Sequence, residues 1–145
     1  MEWRDNLLDE DAAIRKLLVN SERIAVLGIK PESHAHTPAY YVPAYLVRAG
    51  YEVLPVPVYF PEVREILGKP VFRRLEEIPG EIDLTVVFRK PADIPQHLPD
   101  LLSKRPKAVW FQLGIRNDEV AEALARAGIR VVQDHCIMVD HRRLV

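Results

Sequence analysis

The sequence predicts a three-layer α/β fold, an open five-stranded parallel sheet with helices on both faces, and three observations predict it. Short apolar, β-branched runs alternate with capped helical segments along the 145 residues. The runs lack the polar alternation of a one-sided sheet, so each reads as a strand buried on both faces. No turn dipeptide of the Asn-Gly kind joins one run to the next, which leaves crossover connections and therefore parallel neighbours.

Taken in order, Asp9 is placed to cap a first helix whose apolar face is Ile14, Leu17 and Leu18, ending near Asn20. This helix reads as an extension, residues 1–20, of a single domain spanning 1–145. Arg23 to Gly28 is the first strand, and a loop from Ile29 to Thr37 follows. Thr37-Pro38 opens the next helix with a hydroxyl at the cap and a proline at the first helical position, where a missing N–H costs nothing. That helix runs through Leu46 and stops at Gly50. Tyr51 to Pro57 is a second strand that its prolines end early or leave unpaired. Irregular chain extends to Gly80, then Asp83 to Phe88 forms the third strand. Pro91 to Lys104 is helical, with Pro95 and Pro99 confining the regular helix to its last turns. Lys107 to Gln112 is the fourth strand. Asn117 caps a helix with Asp118 and Glu119 in its first turn, where the dipole favours acids, and Gly128 just past its end. Ile129 to Gln133 is the fifth strand.

Composition excludes several function classes. With 20 basic and 21 acidic side chains the net charge is -1, so no global field draws the chain to nucleic acid or an anionic membrane. An anionic ligand must be held locally. The lone cysteine, Cys136, excludes an internal disulfide framework and suits a reducing compartment. Glu2 to Asp5 is charged where a signal peptide would be apolar, and no run approaches the roughly 20 apolar residues of a membrane span. A cytoplasmic location is expected.

In an open parallel sheet, ligands bind outside the carboxyl ends of the strands. The segments to inspect are therefore Gly28 to Pro38, Pro57 to Pro61, Phe88 to Pro91, Gln112 to Arg116 and Gln133 to Cys136. The first joins a strand end to a helix start, a place that offers backbone N–H groups and a positive dipole end to phosphate. A dinucleotide fingerprint wants three glycines there and an acid at the end of the second strand for the ribose. Gly28-Ile29-Lys30-Pro31-Glu32-Ser33 has one glycine, and Val56-Pro57-Val58 has no acid. NAD fails both tests, whereas Lys30, Ser33, His34, His36 and Thr37 are side chains that can bind phosphate oxygens.

With these segments placed, the chain resembles the small bacterial and archaeal CoA-binding proteins, which are similar to the N-terminal CoA-binding domain of the succinyl-CoA synthetase α subunit. The resemblance rests on Ile24 to Gly28 with Lys30-Pro31, Gly50 to Val56, Gly68 to Phe72 with Leu75 to Pro79, Asp83 to Pro91, Ala108 to Gly114, Ala127 to Val132 and Asp134 to Ile137. It implies a Rossmann-like fold that holds CoA or an acyl-CoA. Gly28, Ile29, Lys30, Pro31 and Ser33 would wrap the pyrophosphate, near Thr37. Pro57, Val58 and Tyr59, with Phe88, Arg89 and Lys90, would flank the adenosine end, and Gln112 would lie by the acyl or pantetheine arm. Arg89 and Lys90 are cations able to reach the 3′-phosphate, and arginine grips phosphate bidentately. The family usually has Asn-Pro after the second strand; Pro57-Val58 stands here, so contacts at that turn would be backbone or apolar.

The resemblance implies binding without covalent chemistry, since the synthetase subunit needs a further domain carrying a phosphorylatable histidine. The alternatives are an NAD(P)-dependent oxidoreductase and a ligand-independent interaction module, such as a homodimer through the N-terminal helix or the apolar residues near Tyr59 and Phe60. His34, His36, His135, Cys136 and His141 do not have the spacing of a metal frame. Cys136 reads as a small half-buried residue rather than a nucleophile activated by its neighbour His135. Arg73-Arg74 with Glu76-Glu77 reads as a solvated charge run, and Trp110-Phe111 as core.

Overall fold

The computed structural model describes residues 2–145. In chain order the elements are α1 (Asp11–Asn20), β1 (Arg23–Leu27), α2 (Pro38–Arg48), β2 (Glu52–Val56), β3 (Glu65–Ile66), β4 (Lys69–Pro70), β5 (Leu84–Val87), α3 (Leu98–Lys104), β6 (Ala108–Gln112), α4 (Asp118–Arg126), β7 (Arg130–His135) and α5 (Ile137–Leu144). Five strands form one parallel sheet in the order β2-β1-β5-β6-β7. This is the expected three-layer Rossmann-like arrangement.

Alternate strand residues feed two cores. Ile24, Val26, Leu84, Val86, Ala108 and Trp110 face α1, α2 and α5, meeting Ile14, Leu18, Val42, Leu46 and Ile137. Ala25, Leu27, Val87, Val109 and Phe111 face α3 and α4, meeting Leu101, Val120 and Leu124. Burial on both faces is why these strands carry no polar alternation. Thr85 is the exception. It lies in register between Ala25 and Val109, fully buried, and its hydroxyl has no partner among the described residues.

Several expectations need correction. Glu10, not Asp9, precedes α1, and it makes no side-chain cap; Asp9 lies 3.5 Å from His135 Nε2 instead. Thr37 occupies the cap position of α2, but its hydroxyl donates to the His34 carbonyl at 2.7 Å. Pro38 holds the first helical position as expected. The segment read as irregular contains a short antiparallel hairpin, β3 with β4, whose turn residues Leu67 (φ 55) and Gly68 (φ 72) are both left-handed. β7 extends two residues beyond its expected end, to His135, through a left-handed Asp134 and a register shift opposite Trp110 and Gln112. A last helix, α5, was not anticipated and packs on α1 and α2.

The prolines of the second strand are tolerated because β2 is an edge strand. Pro55 sits in register with Val26, and its carbonyl accepts from the Phe72 N–H at 2.9 Å. The opposite edge, β7, is partly covered by the N-terminal segment: Leu7 bridges to Val131, and the Leu8 N–H donates to the Val131 carbonyl at 2.8 Å. No helix among the described residues is long and apolar enough to cross a membrane.

Candidate functional site

The strand order locates the site. From β1 the chain moves outward to β2, then returns past β1 to β5, so the sheet's direction of growth reverses between β1 and β5. The crevice beyond the carboxyl ends of those two strands is the topological switch point, where ligands of such sheets bind.

Gly28 stands at that point. Its N–H donates to the Val56 carbonyl at 2.9 Å, and the Phe88 N–H donates to the adjoining Leu27 carbonyl at 2.8 Å, so three strand ends converge there. Its φ is +89°, and a Cβ would fall 2.3 Å from the Phe88 carbonyl oxygen. Only glycine permits both the conformation and the approach. Beyond it lies a cleft of about 260 Å³ lined by Gly28, Ile29, Lys30, Val58, Tyr59, Phe60, Phe88 and Arg89. A larger cavity, about 820 Å³, lies under the N-terminal segment between Trp3, Leu7, Val131 and Gln133. That one runs beside the edge of β7 rather than across strand ends, so topology favours the smaller cleft.

The loop after Gly28 is more self-satisfied than a bare phosphate cradle. The N–H groups of His34, Ala35 and Thr37 close turns onto Pro31, Glu32 and His34. Pro43, inside α2, has no N–H to give the Ala39 carbonyl four residues back, and the Lys30 N–H takes that acceptor at 3.1 Å. The helix proline thereby anchors the loop. The Ile29 N–H, in the lining of the cleft, makes no hydrogen bond to another described residue. Ser33 Oγ lies 3.0 Å from His34 Nδ1 on the exposed side, and the Leu67 N–H donates to Glu32 Oε2 at 2.8 Å, tying this loop to the hairpin turn.

Arg89 is the unusual member. It is only 8% exposed, yet its one nearby carboxylate is Asp93 at 3.9 Å. Nε donates to His97 Nε2 at 3.1 Å, and the guanidinium lies 5.3 Å from the centre of the Tyr59 ring. The terminal nitrogens donate to no other described residue. A guanidinium so placed is desolvated and undercompensated, which favours an anion in the cleft. His97 answers to it: burial first, then the Arg89 charge, holds the imidazole pKa below its ordinary value, so Nε2 stays an acceptor.

The structure thus gathers Gly28, Ile29, Lys30, Val58, Tyr59, Phe88 and Arg89 around one cleft. Pro31 and Pro57 are buried behind it. Ser33, Thr37 and Lys90 lie outside its lining, Lys90 exposed with its carbonyl accepting from the Asp93 N–H at 2.9 Å. Gln112 does not line it either. It is 3% exposed, and its Oε1 accepts from the Ile137 N–H at 3.2 Å, a cap on α5. Phe60 and His97 are additions. Phe60 lay within a segment singled out for inspection, while nothing local in the sequence marked His97. The Arg73 reading needs correction: its guanidinium contacts four backbone carbonyls of the turn after β2 rather than solvent alone. Among the described residues no three of His, Cys, Asp and Glu gather as a metal-holding group. His135 Nδ1 pairs with Asp140 Oδ2 at 2.7 Å and His141 Nδ1 with the Tyr45 hydroxyl at 2.6 Å.

Comparison with known proteins agrees with this fold. The sequence is 35% identical over 132 residues to an uncharacterized protein of Bacillus subtilis (strain 168), YneT, covering 90% of this chain and 93% of that one. A solved structure from Thermus thermophilus superposes with a TM-score of 0.86 at 41% identity, over 94% of this chain and 100% of that chain. A hypothetical protein from Pyrococcus horikoshii OT3 superposes at 0.84 with 32% identity, over 94% and 92%. A dinucleotide-forming acetyl-coenzyme A synthetase from Ca. Korarchaeum cryptofilum shares the fold alone, with a TM-score of 0.65 and 20% identity over 80% of this chain and 26% of that chain. The profile of the CoA binding domain matches residues 22–142, nearly everything from β1 to α5, and the chain belongs to that family.

Proposed function

We propose that this protein binds CoA or an acyl-CoA at the switch-point cleft, as a binding protein rather than by transforming its ligand. The observation that carries the proposal is the buried, undercompensated Arg89 guanidinium beside Gly28 and the unengaged Ile29 N–H. Together with Lys30 these groups offer a pyrophosphate a cation, a backbone donor and a close backbone approach, at the switch point of the sheet. Val58, Tyr59 and Phe88 provide apolar and aromatic surface for the adenosine end.

The cleft is far smaller than a pocket that encloses a whole nucleotide, so it holds an anionic group. The rest of CoA would lie across the rim. A neighbouring cavity of about 650 Å³, shared through Val58 and lined by Arg73, Arg74 and His97, gives it somewhere to run. The dinucleotide alternative lacks its ribose acceptor, because β2 ends on buried Val56 and Pro57.

Thermal unfolding with CoA, acetyl-CoA, dephospho-CoA, NADH and NADPH tests the proposal. A ligand at about 100 times its Kd adds roughly 2.7 kcal/mol to the native state. CoA and acetyl-CoA should raise Tm while NADH and NADPH do not, and dephospho-CoA should respond less if Lys30 or Lys90 meets the 3′-phosphate. A shift with NADPH alone would overturn the CoA reading in favour of a dinucleotide, and no shift with any nucleotide would overturn it in favour of the ligand-independent module.

A further inference from the structure

Arg73 lies outside the switch-point cleft, yet its guanidinium reaches the wall of that cleft from behind. Nη1 is 3.3 Å from the Tyr59 carbonyl oxygen, and Nη2 is 3.1, 3.3 and 2.5 Å from those of Phe60, Pro61 and Val63. The Arg73 backbone is fixed in turn, its N–H donating to Glu77 Oε1 at 2.9 Å. No helix or strand runs through residues 57–64; apart from the Val63 N–H to the Phe60 carbonyl and the Val71 N–H to the Arg64 carbonyl, both at 3.0 Å, the hydrogen bonds that order the turn come from this side chain.

What the turn presents depends on that order. Phe60 is held at φ 64, a left-handed conformation that an aromatic residue seldom adopts without outside support. From there its ring meets His34 of the first loop edge-on, with centroids 5.0 Å apart. Tyr59, 62% exposed, lies over the Arg89 guanidinium. Val58, Tyr59 and Phe60 are one wall of the cleft, Ile29 and Lys30 the other, and Arg89 the floor.

We infer that Arg73 is the positioning residue of this site: its planar fork of donors clamps the Tyr59–Val63 carbonyls and so holds the aromatic wall in the shape that receives the ligand. The inference rests on the CoA reading for its ligand, but not for the clamp itself. Arg73 acts through geometry, because its donors already face protein carbonyls. A lysine keeps the charge and loses the fork.

The test compares wild type with Arg73→Ala, Arg73→Lys and, as a control away from the site, Arg126→Ala, whose side chain pairs with Glu122 of α4 at 2.8 Å. CoA titration by calorimetry at several salt concentrations is read beside backbone amide exchange of residues 58–64 without ligand. Both Arg73 variants should bind CoA about tenfold or more weakly, with the wild-type salt dependence, and Arg126→Ala should stay within about twofold. Within 58–64 the Val63 amide, which donates to the Phe60 carbonyl, should exchange faster in both Arg73 variants while β1, β5 and β6 stay protected. Wild-type affinity in Arg73→Lys would overturn the inference, since charge alone would then suffice. Unchanged exchange in Arg73→Ala would overturn it independently. Should the wild-type protein bind no CoA, the functional reading fails and the exchange result alone decides the clamp.

Discussion

Replacing Gly28 by alanine tests whether the strand ends really converge as described. The new Cβ would sit 2.3 Å from the Phe88 carbonyl oxygen, far inside contact distance, and the obstacle is backbone rather than a side chain that can swing away. Hydrogen bonds from Phe88 to Leu27 and from Gly28 to Val56 hold both sides of the clash in place. Two costs combine: about 1–2 kcal/mol for a side chain in the left-handed region, and about 1–3 kcal/mol for overpacking. Gly50→Ala separates them. Gly50 has φ +103° with nothing within 4 Å of its hypothetical Cβ, so it carries the conformational cost alone. Urea unfolding followed by far-ultraviolet circular dichroism should place Gly28→Ala about 1–3 kcal/mol below Gly50→Ala, with similar m-values. Equal stabilities would refute the close approach of β1 and β5 at the switch point.

Other consequences follow from single side chains. Thr85→Val removes a buried hydroxyl that lacks a partner while nearly keeping its shape, and should stabilise the fold by about 1–3 kcal/mol, read as a raised urea midpoint. Asp140→Ala removes the acceptor of the His135 Nδ1 proton and should cost about 1–3 kcal/mol by the same measurement. His97 gives a pH dependence: its folded pKa lies below the ordinary 6.5, so on acidification the unfolded chain takes up the proton first. The stability this contributes is present above pH 6.5 and is lost as the pH falls below it. His97→Gln keeps a neutral acceptor for Arg89 and should flatten that acid limb in a Tm-against-pH series; an unchanged limb would place the titration elsewhere.

What the sequence made legible was what local chemistry determines. Asn117 caps α4 as expected, its Oδ1 accepting from the Val120 N–H at 3.1 Å, because cap, acids and terminal glycine lie within one short stretch. The predominantly apolar β1, β5 and β6 declare burial on both faces in the same way. α5 escaped because it is only eight residues long and Cys136 provides no side-chain cap; it is held by long-range contacts instead, such as Gln112 to Ile137. The β3–β4 hairpin escaped because Leu67, a poor left-handed residue, fills a position where asparagine would have signalled a turn. In the site, Gly28, Lys30 and Arg89 were legible from their places at strand ends, but the burial of Arg89 was not. Nor was Arg73 distinguishable from a solvated charge, since its acceptors are carbonyls of another loop. Gln112 carries a role that its place at the binding edge of a strand did not announce: its Oε1 accepts from the Ile137 N–H at the start of α5.

The central claim is that CoA is held between Gly28 and Arg89, and a CoA titration followed by backbone amide chemical shifts tests it most directly. The account predicts the largest changes at Gly28, Ile29, Lys30 and Arg89, with the unengaged Ile29 N–H moving furthest as it meets phosphate. Changes centred instead on Trp3, Leu7, Val131 and Gln133, around the larger cavity at the edge of β7, would contradict it.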